Sequence, residues 1–238
     1  MAAFPDHLVL SGNNIVEDLV VGIRVNRRAK HIYLKIEPGG MPMLVLPAQR
    51  HLRDARTFLQ EKEVWLRAKL SQQPAAVPFE DGEILPLFGE ALEIVHRPEA
   101  RRGVWQEEDC ICVSGDAPYL ARRLTDWIKK QTKEKVQDEA RRCVEILDCQ
   151  HGRITLRDPK TRWGSCSASG DLSFSWRLAF APPQVLRYVV AHECAHLREH
   201  NHSHRFWKLV RQLDPNFRAS EKWLKNKGAQ LHRYGMSA

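Results

Sequence analysis

The feature that most restricts this chain is His192-Glu193-Cys194-Ala195-His196, an H-E-x-x-H segment inside the run VLRYVVAHECAHLREH. Four residues advance a helix by about 6 Å and return to nearly the same face. Two imidazoles so spaced can reach one ion, provided the segment is helical. The carboxylate of Glu193 then flanks the open coordination position, where it can take a proton from a metal-activated water. Composition alone predicts about 0.04 accidental occurrences of this pattern in a chain of this length.

The same helix cannot supply the third ligand by simple continuation. His200 extends the i, i+4, i+8 row, but on a straight helix it lies about 12 Å from His192, too far to share an ion with bonds of about 2 Å. A helix that stops near Asn201 lets the chain turn back and aim His202 at the ion. His204 ranks second for this role and Glu221, on a later helix, third. Three protein ligands and a water make a catalytic zinc site, whereas four close it. Surface exposure is the expectation for His200 and His204. Cys194 lies about 160–200° round the helix from both histidines and reads as a small buried apolar residue.

The elements around the motif read as α+β, with strands early and helices late. The alternation in GIRVNRRAKHIYLKIEPGGMPMLVLP predicts an antiparallel hairpin about Pro38-Gly39-Gly40. Leu52, Ala55, Phe58, Leu59, Leu66 and Leu70 then repeat at helical spacing. Short strands follow in LPLFGEALEIVH, with Gly89 in a tight turn, and in DCICVSG. A long amphipathic helix is expected from Tyr119 to Leu147. Two strands, RITLRD and DLSFSW, flank the turn-rich TRWGSCSASG. Pro182-Pro183 opens the helix that carries the motif, since proline is tolerated in a first turn. Phe206, Leu209, Val210 and Leu213 line one face of a further helix ending at Asp214-Pro215. The natural division is a β-rich region with one helix over 1–117 and a mainly helical region over 118–238.

Charge is unevenly spread. The net formal charge is +8, yet residues 151–238 hold 15 Lys+Arg against 6 Asp+Glu, while residues 1–150 are nearly balanced. Such a field attracts nucleic acid, acidic protein or an anionic surface. No apolar run approaches the ~20 residues of a membrane span. The first residues lack a basic n-region and a long apolar h-region. Six cysteines without a C-x-x-C pair read as reduced thiols, and together these features predict a cytoplasmic protein.

The run from Thr161 to Trp207 resembles the YgjP-like metallopeptidases. The resemblance rests on Arg162-Trp163-Gly164-Ser165-Cys166, Pro182-Pro183, His192 to His196, Asn201-His202-Ser203 and Phe206-Trp207. The earlier RRAKHIYLKIEPGG, FLQEKEVWL and LPLFGEALEI are similar to the same family. It implies a zincin-like catalytic half, zinc on His192, His196 and His202, Glu193 as general base, and a protein or peptide substrate. The related SprT-like proteases include members that degrade proteins crosslinked to DNA, and the basic carboxy-terminal third is compatible with DNA association. Two rival readings are a metal-stabilised nucleic-acid-associated module and a metal-dependent amidase for small molecules. The Arg162–Cys166 segment reads either as local packing or as an edge strand that pairs with an extended peptide. Arg162 is a candidate to hold a carboxylate or an oxyanion, and Tyr188 and Tyr234 are candidate oxyanion donors by residue type alone.

Overall fold

A computed structural model describes residues 4–12, 17–37, 40–71 and 75–235. The chain divides into two compact units, Met1–Ala75 and Ala76–Ala238. In the first, strands β1 (His7–Leu10), β2 (Leu19–Val25), β3 (Tyr33–Ile36) and β4 (Pro42–Leu46) form one sheet in the order β1-β2-β4-β3. The β3–β4 hairpin is antiparallel as expected; Pro38 and Gly39 of its turn lie outside the described residues. The alternation does more than make this hairpin, because β2 also pairs with β4 in parallel. The inward residues Val21, Leu44 and Leu46 bury against Ala55 and Leu59 of α1 (Leu52–Glu61) and Leu66 of α2 (Glu63–Ser71). The single helical stretch expected over 51–70 is therefore two helices, separated at Lys62.

The second unit opens with β5 (Ile84–Leu87), β6 (Glu90–Arg97), β7 (Val104–Glu107) and β8 (Cys110–Ser114), in sheet order β5-β6-β8-β7. Phe88 and Gly89 both take left-handed conformations (φ 51° and 93°), as a two-residue hairpin turn with matching twist requires. Helix α3 (Leu120–Leu147) then does two jobs with one apolar stripe. Its Leu120, Leu124 and Ile128 pack with Leu85, Ile94 and Ile111. Further along, Val136, Ala140 and Cys143 join a second core with Phe174, Val190 and Phe206. A sheet cannot bury its apolar face alone, so β5–β8 belong with the helices. The compact units meet at 75/76, and the expected change from strands to helices at 117/118 falls inside the second of them.

A small sheet completes the unit: β9 (Ile154–Arg157), β10 (Gly164–Cys166) and β11 (Leu172–Ser175), in the order β10-β11-β9. The turn-rich segment thus contains an edge strand. Ile154, Leu172 and Phe174 face the core, which the pleat makes the side of Gly164 and Cys166 as well. The Trp163 carbonyl accepts the Ser175 N–H and the Asp171 carbonyl accepts the Ser167 N–H, each at 2.9 Å. By the antiparallel alternation, the N–H and C=O of Gly164 and Cys166 point to the open edge. Helices α4 (Pro183–Ala195), α5 (His204–Leu213) and α6 (Phe217–Lys227) follow.

The tight turn Trp176–Phe180 is tied to the end of the chain by Arg177. Its buried guanidinium donates to both Asp158 oxygens, at 2.7 and 3.0 Å, and to the Tyr234 carbonyl at 2.7 Å. Burial by itself would raise the Asp158 pKa; the Arg177 hydrogen bonds outweigh it and hold the carboxyl below its ordinary value. A carboxylate depressed in the folded state stabilises above its unfolded pKa, and that contribution fades as pH falls through the folded value. Arg177→Met is expected to cost about 2 kcal/mol at pH 7, a value discounted because Asp158 is half-exposed. Urea midpoints of the two proteins should lie closer together at pH 3 than at pH 7.

Candidate active site

Helix α4 starts on Pro182-Pro183 and buries Val185, Leu186, Val189 and Val190, which fixes its rotation. That rotation brings His192, in its last turn, to the surface of the core. The helix stops at Ala195, six residues earlier than the sequence suggests, and His196 is its C-cap. A tertiary contact ends it. Arg198 donates to the Leu147 carbonyl at 2.8 Å and also to the Asp148 carbonyl, both at the end of α3. The chain then reverses. Asn201 accepts the Ser203 N–H through its side chain (3.1 Å), and Ser203 caps α5 by accepting the Phe206 N–H (3.4 Å).

This reversal brings His202 back to the helix. The Nε2 atoms of His192 and His202 stand 3.1 Å apart, and ligand atoms of His192, His196 and His202 all lie within 4.8 Å of one another. Among the described residues this is the only such group. Tetrahedral bonds of 2.0–2.1 Å would set neighbouring nitrogens roughly 3.3 Å apart, so the spacing fits a shared ion. The donors fit too. His196 Nδ1 lies 3.0 Å from the Glu199 carbonyl, which can only accept, so the ring proton sits on Nδ1 and Nε2 is left with its lone pair. His192 Nδ1 is buried with no hydrogen-bond partner, so this ring's polar capacity lies at Nε2. Burial, then the neighbouring imidazoles, push His192 down to about 4. Burial likewise lowers His196, against the Glu199 hydrogen bond. Both rings are neutral at pH 7, the form that binds a metal. The three rings can therefore hold a divalent ion.

Beneath the rings lies Phe206, with its centroid 4.9, 4.5 and 4.7 Å from those of His192, His196 and His202. Trp207 flanks His192 and His202 at 5.9 and 6.0 Å and stacks on Phe217. Glu193, only 7% exposed, turns toward β10. A Cβ at Gly164 would sit 2.6 Å from its Cγ and Oε1. Glycine is required there for space, not for backbone conformation. Burial pushes the Glu193 carboxyl up to about 7, opposed by the Arg162 charge.

Other candidates fall elsewhere. His200 and His204 are exposed, as expected, and neither joins the trio; nor does half-buried Glu221. Cys194 is fully buried. Tyr188 is buried beside His192, 5.9 Å between centroids, and burial followed by the charges of Glu221 and Glu193 raises its pKa. Tyr234 packs on Phe180 in another part of the unit. Three participants escaped the sequence reading. Phe206 reads as ordinary helix periodicity, the Glu199 carbonyl has no residue signature, and Arg198 belongs to no local motif.

Residues 30–227 match the family model described as YgjP-like, metallopeptidase domain. No curated protein matches the sequence. Among solved structures, the metallopeptidase zymogen abylysin of Pyrococcus abyssi is similar over 39% of this chain and 92% of its own, with 25% identity and a TM-score of 0.35. Jannalysin of Methanocaldococcus jannaschii, also a metallopeptidase zymogen, is similar over 39% of this chain and 95% of its own, with 18% identity and a TM-score of 0.35.

The ring platform generates a stability prediction that needs no metal. Phe206→Ala removes a fully buried ring under three imidazoles and should cost about 3–5 kcal/mol. Phe206→Leu, which refills most of the space, should cost less than half of that. Equal urea midpoints for the parent and Phe206→Ala would show that the rings do not rest on this residue.

Proposed function

The chain belongs to the YgjP-like metallopeptidase family, and from that premise we propose that it is a zinc-dependent peptidase, with the ion on His192, His196 and His202 and with Glu193 as general base. The observation that carries this reading is the trio of imidazole nitrogens within 4.8 Å, next to a buried carboxylate on the same helix. Three imidazole nitrogen donors favour zinc over the oxygen-seeking magnesium and calcium ions. When bound, the ion supplies Lewis acidity to a water and to the scissile carbonyl.

The chain's own residues supply the rest. Glu193, with a pKa pushed up to about 7, is matched to taking a proton from the attacking water and returning it to the leaving amine near neutral pH. Gly164 leaves room for that carboxylate, and Arg162 is the charge that tempers its rise. The open edge of β10 offers the N–H and C=O of Gly164 and Cys166 to an extended substrate backbone, which would hold a peptide beside Glu193. This edge favours a protein or peptide over a small-molecule amide, which has no strand to pair. Glu193 favours an enzyme over a purely structural metal module.

Glu193→Gln should keep one zinc per chain by elemental analysis while lowering kcat by at least about 100-fold. Peptide cleavage at the parental rate by a purified, zinc-loaded variant would remove Glu193 from this role. His202→Ala should lose zinc and His204→Ala should retain it; the opposite pattern would reassign the third ligand. Gly164→Ala should hold zinc normally yet turn over about 100-fold more slowly, since a displacement of about 1 Å in a catalytic group costs that much.

A further inference from the structure

The pleat that turns Gly164 toward Glu193 turns Ser165 the other way. Ser165 is in register with Ser173, and Ser173 with Thr155, so three hydroxyl side chains form a row across the outward face of the sheet and end at the open edge of β10. Arg157 of β9 and Arg153 just before it continue this face, and Arg162 stands shortly before β10. With the hydroxyl row they line a cleft of about 480 Å3. All three arginines are exposed, and among the described residues none forms an ion pair. Two carboxylates close to these residues in sequence or in the cleft are already engaged, and the Arg162 charge also acts on buried Glu193. Asp158 is held by Arg177. Asp171, the one acidic residue lining the cleft, accepts the Arg153 backbone N–H at 2.7 Å.

We propose that this face is a subsite for acidic side chains of the polypeptide substrate, an inference that rests on the peptidase reading and specifies its substrate class. A strand added at β10 would pair through Gly164 and Cys166, and its residue level with Ser165 would project onto the hydroxyl row. An aspartate or glutamate there stands beside the Ser165 hydroxyl and faces the guanidinium groups that line the same cleft, donors that bind carboxylates through charge-assisted hydrogen bonds. A lysine at the same position meets three like charges and is rejected. A nucleic acid fits less well. No aromatic ring lines the cleft to stack a base, its volume admits a few side chains rather than a duplex, and the exposed strand edge pairs with peptide, not with phosphodiester.

The test uses full-length, zinc-loaded Glu193→Gln protein as a binding trap and fluorescein-labelled ten-residue peptides. One series carries Asp or Glu at alternate positions, a second Asn or Gln, a third Lys; an oligothymidylate of equal charge is the fourth probe. The acidic series should bind at least tenfold tighter than its amide counterpart, and R153Q/R157Q/R162Q should abolish the difference. R153E/R157E should reverse the order and favour the lysine series, which a misfolded variant cannot do. Equal affinity for acidic and amide peptides would overturn the proposal. So would tighter binding of the oligothymidylate with the same arginine dependence. Cleavage by the parent enzyme without charge preference likewise counts against the subsite. An intact acidic preference in a chain that cleaves nothing supports it, and the hydrolase reading alone then fails.

Discussion

The geometry of the centre depends on the chain reversing directly after Ala195. Five residues separate His196 from His202, and within them the backbone must turn far enough to bring the Nε2 atoms of His192 and His202 to 3.1 Å. The anchor is Arg198 on the last carbonyls of α3, where Asp148 takes a left-handed conformation (φ 48°) and the helix leaves acceptors unpaired. A cation at the negative end of one helix thus decides where the next one stops. Phe206 then receives the returning imidazole, so apolar packing and the arginine clamp fix the same turn from two sides.

Charge is segregated in a way that serves this centre. Residues 151–238 are strongly basic, yet the rings of His192 and His196 are neutral because burial resists their protonation. Glu193 is driven the other way by the same cause, since burial disfavours its anion. The guanidinium groups of Arg153, Arg157 and Arg162 line the cleft on the β9–β11 sheet, and that of Arg177 is buried with a carboxylate partner. One short strand separates the two regimes: Gly164 faces Glu193, and Ser165 faces the arginine-lined cleft.

Much of this was legible in the residues themselves. The spacing of His192 and His196 demands a helix, and a chain that turns after it points to His202 as the histidine that joins them. The end of that helix was read six residues late because Leu197 continues the apolar pattern and Arg198 looks solvated; what stops the helix is a contact with residues some fifty positions away. The match between Gly164 and Glu193 was invisible for a similar reason, since no local rule links a strand glycine to a helix carboxylate. The change from strands to helices near residue 117 is a local signal, whereas burial joins β5–β8 to α3 across it. Local periodicity reports elements well, and long-range contacts decide where they end and what they join.

Anomalous diffraction at the zinc absorption edge, from crystals of the zinc-loaded chain, addresses the central claim most directly. A single strong peak about 2.0–2.1 Å from Nε2 of His192, His196 and His202 is the predicted result. A peak held by other residues, or the three rings turned apart around no peak, would contradict it.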